Sequence, residues 1–265
     1  EGVEFNTMST VNDASEGRGL ETYIFLKEVG SGFMQFMPVV EHVKYPQNGA
    51  GKPDKKKRPY IVDPKTDGAV IAPWSVSDIG FGRFLCDIFD YWVRNDVGRY
   101  FVTNFDATLA NWVGEMPGTC TFAQTCGGNT VIEHNGDLYP CDHFVYKDYL
   151  LGNIADKSIA EMMHSVKQTA FGIDKRNKLP TKCLRCEWLF ACNGECPKHR
   201  FNTYESRQAR GGARIESGLN ALCAGYQMFF SHVAPYMDYM KDLLSRKMSP
   251  AYVIPWARTH AIQQR

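Results

Sequence analysis

The 265-residue chain is 44% hydrophobic and 13% aromatic, enough to bury a core, so disorder is excluded for most of its length. Thirty basic residues against 29 acidic ones leave a formal charge of +1, which gives no field favouring nucleic acid or an anionic membrane. No apolar run approaches the roughly 18 residues that span a bilayer, and no secretory leader is visible. The chain starts at Glu1 rather than Met, so a preceding segment is expected. One or two domains are expected at this length.

Residues 3–11 alternate as a strand, and Asn12-Asp13-Ala14-Ser15 carries turn chemistry. Residues 20–29 form a predicted helix stopped by Gly30-Ser31-Gly32, and 33–40 read as a buried strand. Strand, helix, strand predicts a βαβ unit and a parallel sheet. Residues 45–70 contain the run Lys52-Pro53-Asp54-Lys55-Lys56-Lys57-Arg58. They are predicted to form a long solvated loop, with a docking surface for a protein substrate as the alternative. Ser75-Val76-Ser77-Asp78 offers N-caps for a helix through Ile79, Leu85, Ile88, Phe89, Trp92 and Val93, in which Cys86 is a core thiol. A strand is predicted over 100–105, a short helix over 109–113 and a boundary at 114–118.

Asn135-Gly136 lies between two apolar stretches, 130–134 and 137–139, and predicts a β-hairpin with a two-residue type I′ turn. One amphipathic helix is predicted over 157–170, through Ile159, Met162, Met163 and Val166. A long helix is predicted over 217–246 along Leu219, Cys223, Tyr226, Phe230, Val233, Met237, Met240 and Leu244, kinked at Pro235. The tail after Ser249 shows no pattern and is expected on the surface.

Nine cysteines are the informative excess, and eight of them fall between 120 and 223. An odd count without a leader argues against a disulfide scaffold, and clustered thiols point to metal. The pattern is Cys120-x5-Cys126, Cys141, then Cys183-x2-Cys186-x5-Cys192-x3-Cys196, then Cys223. The hairpin brings Cys126 and Cys141 toward one open end, and Cys223 arrives from the last helix. Eight thiolates make two four-cysteine sites, and spacing alone admits two zinc ions or two iron–sulfur clusters. The x2/x5/x3 run departs from the paired-knuckle zinc pattern and is closer to iron–sulfur runs whose fourth cysteine serves a neighbouring cluster.

This arrangement resembles the SPASM domain of radical S-adenosylmethionine enzymes. Cys126-Gly127, Gly136-Asp137-Leu138-Tyr139-Pro140-Cys141-Asp142-His143-Phe144-Val145, Leu151-Gly152-Asn153-Ile154, Val3-Glu4-Phe5-Asn6 and Gln35-Phe36 further resemble the anaerobic sulfatase-maturating enzymes over residues 1 to about 245. The resemblance implies an α/β fold. Residues 1–115 would be the C-terminal part of a partial (β/α)6 radical SAM barrel, and 116–246 a Cys-rich SPASM domain of a β-hairpin plus helices binding two auxiliary [4Fe–4S] clusters; 247–265 would be a tail. It implies Cys120, Cys126, Cys141 and Cys196 as ligands of one cluster, and Cys183, Cys186, Cys192 and Cys223 as ligands of the other.

The family's Cys-x3-Cys-x2-Cys motif, which holds the cluster that cleaves S-adenosylmethionine, is absent from residues 1–119. The chain therefore reads as a fragment, inactive alone, with a truncated paralogue as the alternative. S-adenosylmethionine and a third [4Fe–4S] cluster are expected in the full-length enzyme. The implied reaction oxidises a Cys or Ser of a sulfatase, in a Cys/Ser-x-Pro-x-Arg sequence, to Cα-formylglycine through a 5′-deoxyadenosyl radical. Asp142 matches the catalytic aspartate, and like charge and burial beside a ligated thiolate are expected to raise its pKa. Val40 is a candidate cofactor contact at the C-terminal end of a barrel strand, and Gln35 on the same strand is expected to point into the barrel. No histidine has ligand spacing, and His143 is expected to hydrogen-bond. Expected partners are the sulfatase polypeptide and an electron donor such as ferredoxin or flavodoxin, in an anaerobic cytoplasm, with neither nucleic acid nor membrane. The alternatives are another SPASM-type peptide maturase and a zinc-stabilised binding module.

Overall fold

The computed structural model describes residues 3, 5–207 and 213–260; Glu4 of the predicted first strand and residues 261–265 of the tail lie outside them. The chain divides into two compact units, Glu1–Asp106 with Leu222–Arg265, and Ala107–Ala221.

In the first unit β1 (Asn6–Val11) and β2 (Phe33–Pro38) pair in parallel, from Asn6 opposite Phe33 to Val11 opposite Pro38, with α1 (Gly19–Glu28) between them in sequence. This is the predicted βαβ unit. Alternation along β2 buries Met34 and Phe36 and leaves half-buried Gln35 on the opposite face. The predicted loop over 45–70 instead carries two short strands. β3 (His42–Lys44), β4 (Tyr60–Ile61) and β5 (Val70–Ile71) form an antiparallel sheet in the order β4-β3-β5. Strands of two residues are too short for alternation to show in the sequence. Lys52, Lys55, Lys56, Lys57 and Arg58 are exposed.

The helix α2 (Asp78–Asn95) starts at Ser77, whose Oγ accepts the Gly80 N–H at 3.1 Å. Its buried face runs through Phe81, Phe84, Leu85, Ile88, Phe89, Trp92 and Val93. Cys86 is buried there as expected, and burial pushes its thiol up to about 12. Of the strand predicted over 100–105 only β6 (Phe101–Val102) forms, because α3 (Thr103–Val113) begins at once. Among the described residues the parallel sheet has the order β1-β2-β6 and does not close into a barrel. Met8, Phe33 and Phe101 are exposed, and the Phe33 and Phe101 rings stack at 4.8 Å.

In the second unit β7 (Val131–Ile132), β8 (Asp137–Tyr139) and β9 (Gly152–Asn153) form an antiparallel sheet. The hairpin exists, but its turn differs from the prediction. The Gly136 N–H donates to the Glu133 carbonyl at 2.9 Å, so His134 and Asn135 are the central residues. A type I′ turn needs positive φ at both central residues, and here Gly136, which follows them, takes φ +87 while Asn135 does not. Asn135 acts instead through Oδ1, which accepts the Asp137 N–H at 3.1 Å.

The single helix predicted over 157–170 is two, α4 (Ile159–Met163) and α5 (Val166–Asn177), capped by Ser158 and Ser165. Val166, placed on the apolar face by periodicity, is exposed in the first turn of α5. After α6 (Thr181–Leu184) and α7 (Leu189–Cys192), β10 (Arg200–Arg207) and β11 (Ala213–Asn220) pair antiparallel. The predicted last helix therefore loses 217–220 to a strand. Leu219 sits four residues before Cys223 and mimics one more helical turn.

The chain then returns to the first unit as α8 (Cys223–Ser245), which packs Tyr226, Phe229, Phe230, Val233, Met237, Met240 and Leu243 into the core beside α2. Leu243 takes the place expected of Leu244. A Cβ on Gly225 would overlap the Asp78 carbonyl, so α2 and α8 meet at backbone distance. This contact places α8 with the first unit, whereas the sequence reading draws its boundaries at 115/116 and 246/247. The tail is not a surface coil: α9 (Val253–Thr259) buries Val253 and Ala257 and packs on α2. No helix among the described residues is long and apolar enough to cross a membrane.

Asp106 in α3 is half-buried without a partner among the described residues, and burial alone raises its carboxyl from 3.8 to about 7. Between those values the folded chain holds a proton that the unfolded chain has released, so stability falls as pH rises. Urea midpoints of this chain are expected to drop between pH 4.5 and pH 7.5, by up to about 4 kcal/mol in unfolding free energy. Asp106→Asn should flatten that slope, and an unchanged slope in the variant would remove Asp106 as its source.

Candidate metal centre

Seven of the eight clustered cysteines lie in the second unit, and Cys223 opens α8 in the first. No disulfide joins any of the nine cysteines. Cys126 and Cys141 each have Cys120 as an electrostatic neighbour, and Cys196 has Cys141, so these four form one linked group. Cys183 has Cys186 as such a neighbour. Burial raises the thiols of Cys126, Cys183 and Cys196 above the ordinary value and pushes Cys141 up to about 12; the neighbouring thiols add to it. A cation that takes such thiols as ligands must displace their protons. Among the described residues no three His, Cys, Asp or Glu side chains form a site for a single metal ion.

Cys141 leaves β8 and caps the 3₁₀ turn Asp142–Phe144, its Sγ accepting the His143 N–H at 3.5 Å. The turn presents Asp142 at the surface with Oδ1 3.0 Å from Cys141 Sγ, which donates to it. The rise expected beside a ligated thiolate belongs to a Cys141 that has lost its proton; with Cys141 as a thiol the direction is reversed. Burial pushes the Asp142 carboxyl up, but the Cys141 donor, the His143 charge and main-chain N–H groups outweigh it, and the group lies below its ordinary value. His143 Nδ1 is 3.3 Å from Cys196 Sγ, which links the hairpin exit to the second cysteine run. Ligand spacing could not reveal that contact, because the two residues are 53 apart in sequence.

The loops carrying these cysteines are held by side chains the sequence reading passed over. On α5, Gln168 Nε2 donates to the Gly127 carbonyl, and the Gly172 carbonyl accepts the Cys126 N–H at 3.2 Å. A Cβ on Gly172 would overlap the Cys126 carbonyl. Lys175 Nζ donates to the Cys120 carbonyl and, at 2.8 Å, to that of Thr121. Cys223 is placed by Asp78, whose carboxylate accepts the N–H groups of Ala224 and Gly225 at the start of α8. Val40 is buried just beyond β2, where the Val39 N–H donates to the Val11 carbonyl at 2.8 Å. The donor set is all sulfur and undivided by disulfides, and four of its thiols, Cys120, Cys126, Cys141 and Cys196, form a linked group, a chemistry that suits iron–sulfur clusters.

The SPASM family, an iron–sulfur cluster-binding domain, matches residues 120–187. A serine-type anaerobic sulfatase-maturating enzyme of Bacteroides thetaiotaomicron is 49% identical over 253 residues, 96% of this chain and 57% of its own length. A serine-type enzyme of Klebsiella pneumoniae is 28% identical across 97% of this chain and 55% of its own length. A cysteine-type enzyme of Clostridium novyi is 25% identical across 92% and 57%. The solved structure of native anSMEcpe with bound AdoMet and Cp18Cys peptide has the same fold, with a TM-score of 0.69 at 23% identity over 91% of this chain and 59% of that one. The chain spans little more than half the length of the curated relatives it matches.

Proposed function

We propose, from the premise that this chain is a homologue of the anaerobic sulfatase-maturating enzymes and carries their iron–sulfur cluster-binding SPASM domain, that it is the cluster-bearing part of an enzyme oxidising a peptidyl serine or cysteine to Cα-formylglycine. The observation that carries this reading is the Asp142 carboxylate set on the Cys141 thiol, within a linked group of four thiols. Cys120, Cys126, Cys141 and Cys196 are the ligands of one [4Fe–4S] cluster, and Cys183, Cys186, Cys192 and Cys223 of the other. When bound, the clusters supply one-electron transfer. Asp142 is the proton acceptor. It is exposed, so its carboxylate is open to the hydroxyl or thiol proton of an incoming peptide.

Val40 contacts S-adenosylmethionine in a longer protein that also holds a third cluster, since this chain has no Cys-x3-Cys-x2-Cys run. The higher identity to serine-type than to cysteine-type relatives favours serine within Ser-x-Pro-x-Arg. The partners are a sulfatase polypeptide and a ferredoxin or flavodoxin, in an anaerobic cytoplasm.

The test has two stages. Anaerobic reconstitution of this chain, followed by iron and sulfide analysis, should give both elements; zinc without sulfide would make it a zinc-stapled binding module. The chain extended with the N-terminal half of the Bacteroides relative should then convert a Ser-x-Pro-x-Arg peptide to the aldehyde faster than the Cys peptide. Deoxyadenosine without aldehyde on either peptide would point to another peptide maturase.

A further inference from the structure

Lys175, which is buried, and Arg200, which is half-buried, lie beside the loops that carry the cysteines. Lys175 is 1% exposed, a rare environment for lysine unless its charge is compensated. Among the described residues its Nζ meets the Cys120 and Thr121 carbonyls. Arg200, at the start of β10, likewise meets carbonyls among the described residues. Nε donates to Gly194 at 2.8 Å, Nη2 to Asn193 at 3.0 Å and to Glu195 at 3.1 Å, and Nη1 to Lys175. Those carbonyls curl inward because Asn193, Gly194 and Glu195 all take positive φ, at 48, 71 and 53 degrees. This left-handed loop is the stretch between Cys192 and Cys196. For Asn193 and Glu195 this conformation is unfavourable, so the surroundings must hold it. The Arg200 fork does so.

Neither cation is in an ion pair among the described residues. The nearby Glu195 carboxylate is taken by His199 Nδ1 at 2.8 Å and by Asn220 Nδ2. Carbonyls supply hydrogen bonds but no net charge, and an uncompensated buried cation costs several kcal/mol. The negative charges in reach are the Glu195 carboxylate and sulfur. Burial lowers both groups, while Glu195, Cys126 and Cys196 oppose this at Lys175, and Cys183, Glu195, Cys192 and Cys196 at Arg200. One carboxylate cannot balance two cations, so at least one positive charge is left to the thiols.

We propose that Lys175 and Arg200 are built-in counter-charges of the two cysteine groups, Lys175 serving the group of Cys120, Cys126, Cys141 and Cys196, and Arg200 shared between both groups, so that they raise the reduction potentials of the clusters those thiolates bind. The inference rests on the cluster assignment above. A net anionic thiolate cage becomes more negative on reduction, so a fixed cation nearby favours the reduced form, and net charge is one of the determinants of iron–sulfur potentials.

The experiment is a dithionite titration of the reconstituted chain with redox mediators, read by electron paramagnetic resonance. Iron and sulfide are measured first on the parent, and a parent lacking them overturns the cluster reading and this inference together, before any variant is read. With clusters present, Arg200→Gln is expected to shift the reduction equilibrium of both clusters at least tenfold toward the oxidised form, about 59 mV for a one-electron couple. Lys175→Met should shift one cluster by as much and leave the other, while Arg200→Lys stays within threefold of the parent. Unchanged potentials in Arg200→Gln and Lys175→Met overturn the inference, and so does an Arg200→Lys shift as large as that of Arg200→Gln. Where Arg200→Gln assembles no iron, retention of iron by Arg200→Lys supports the inference and equal loss overturns it.

Discussion

Replacing Cys126 and Cys141 together by Ala is expected to remove half the iron and sulfide of the anaerobically reconstituted chain, and replacing Cys183 and Cys186 together should remove the other half. Cys126 and Cys141 share Cys120 as a neighbour, Cys183 has Cys186, and the proposed partition puts the two pairs on different clusters. A four-iron cluster is held by four thiolates and does not survive the loss of two. Cys196 decides the partition, because in sequence it closes the second run while its charge acts with Cys141 and its Sγ lies 3.3 Å from His143 Nδ1. Adding Cys196→Ala to the Cys126/Cys141 pair should leave the spectrum of the surviving cluster unchanged. Adding it to the Cys183/Cys186 pair should alter the spectrum of the other. The opposite pattern would move Cys196 to the second cluster, and loss of all iron with either pair would make the eight thiols a single site.

Reading the sequence goes furthest where one residue type has one job. The βαβ start, the Ser77 cap and the buried stripe of α2 follow from alternation, capping chemistry and period. The cysteines announce themselves by number, but which four share a cluster cannot be read from their spacing. What remains hidden is decided by contacts distant in sequence. Leu219 reads as a helical turn before Cys223, yet it belongs to a strand because β11 pairs with β10. Val253 and Ala257 are too few to announce α9, and only α2 gives them a core to enter. Lys175 and Arg200 are the hardest to see. Charged residues read as a solvated face, and the carbonyls that receive them come from loops as far as 55 residues away. Asp142 stands between these cases: its position follows from the motif, but its acidity depends on a neighbouring thiol proton.

Asp142→Asn is expected to cut aldehyde formation by the extended enzyme about 10²- to 10⁴-fold, the usual contribution of a positioned base, while iron content stays at the parental level. The substitution keeps the shape of the side chain and removes its ability to accept a proton at physiological pH. With Cys141 as a thiol, Oδ1 accepts its Sγ–H at 3.0 Å. A thiolate ligand has no proton to donate, so iron binding frees this oxygen on a carboxylate that is exposed to solvent. His143 and Phe144 follow in the same 3₁₀ turn and fix where it points. Phe144 is buried, with its ring 5.1 Å from that of Phe171 on α5. The turn therefore has an anchor independent of residue 142, and Asn should leave it in place. Asp142→Glu keeps the charge on a longer stem and should recover part of the lost rate, whereas a purely structural aspartate would be replaced better by Asn than by Glu. Aldehyde formation within threefold of the parent in Asp142→Asn would remove the proton-accepting role, and with it the observation on which the proposed function rests.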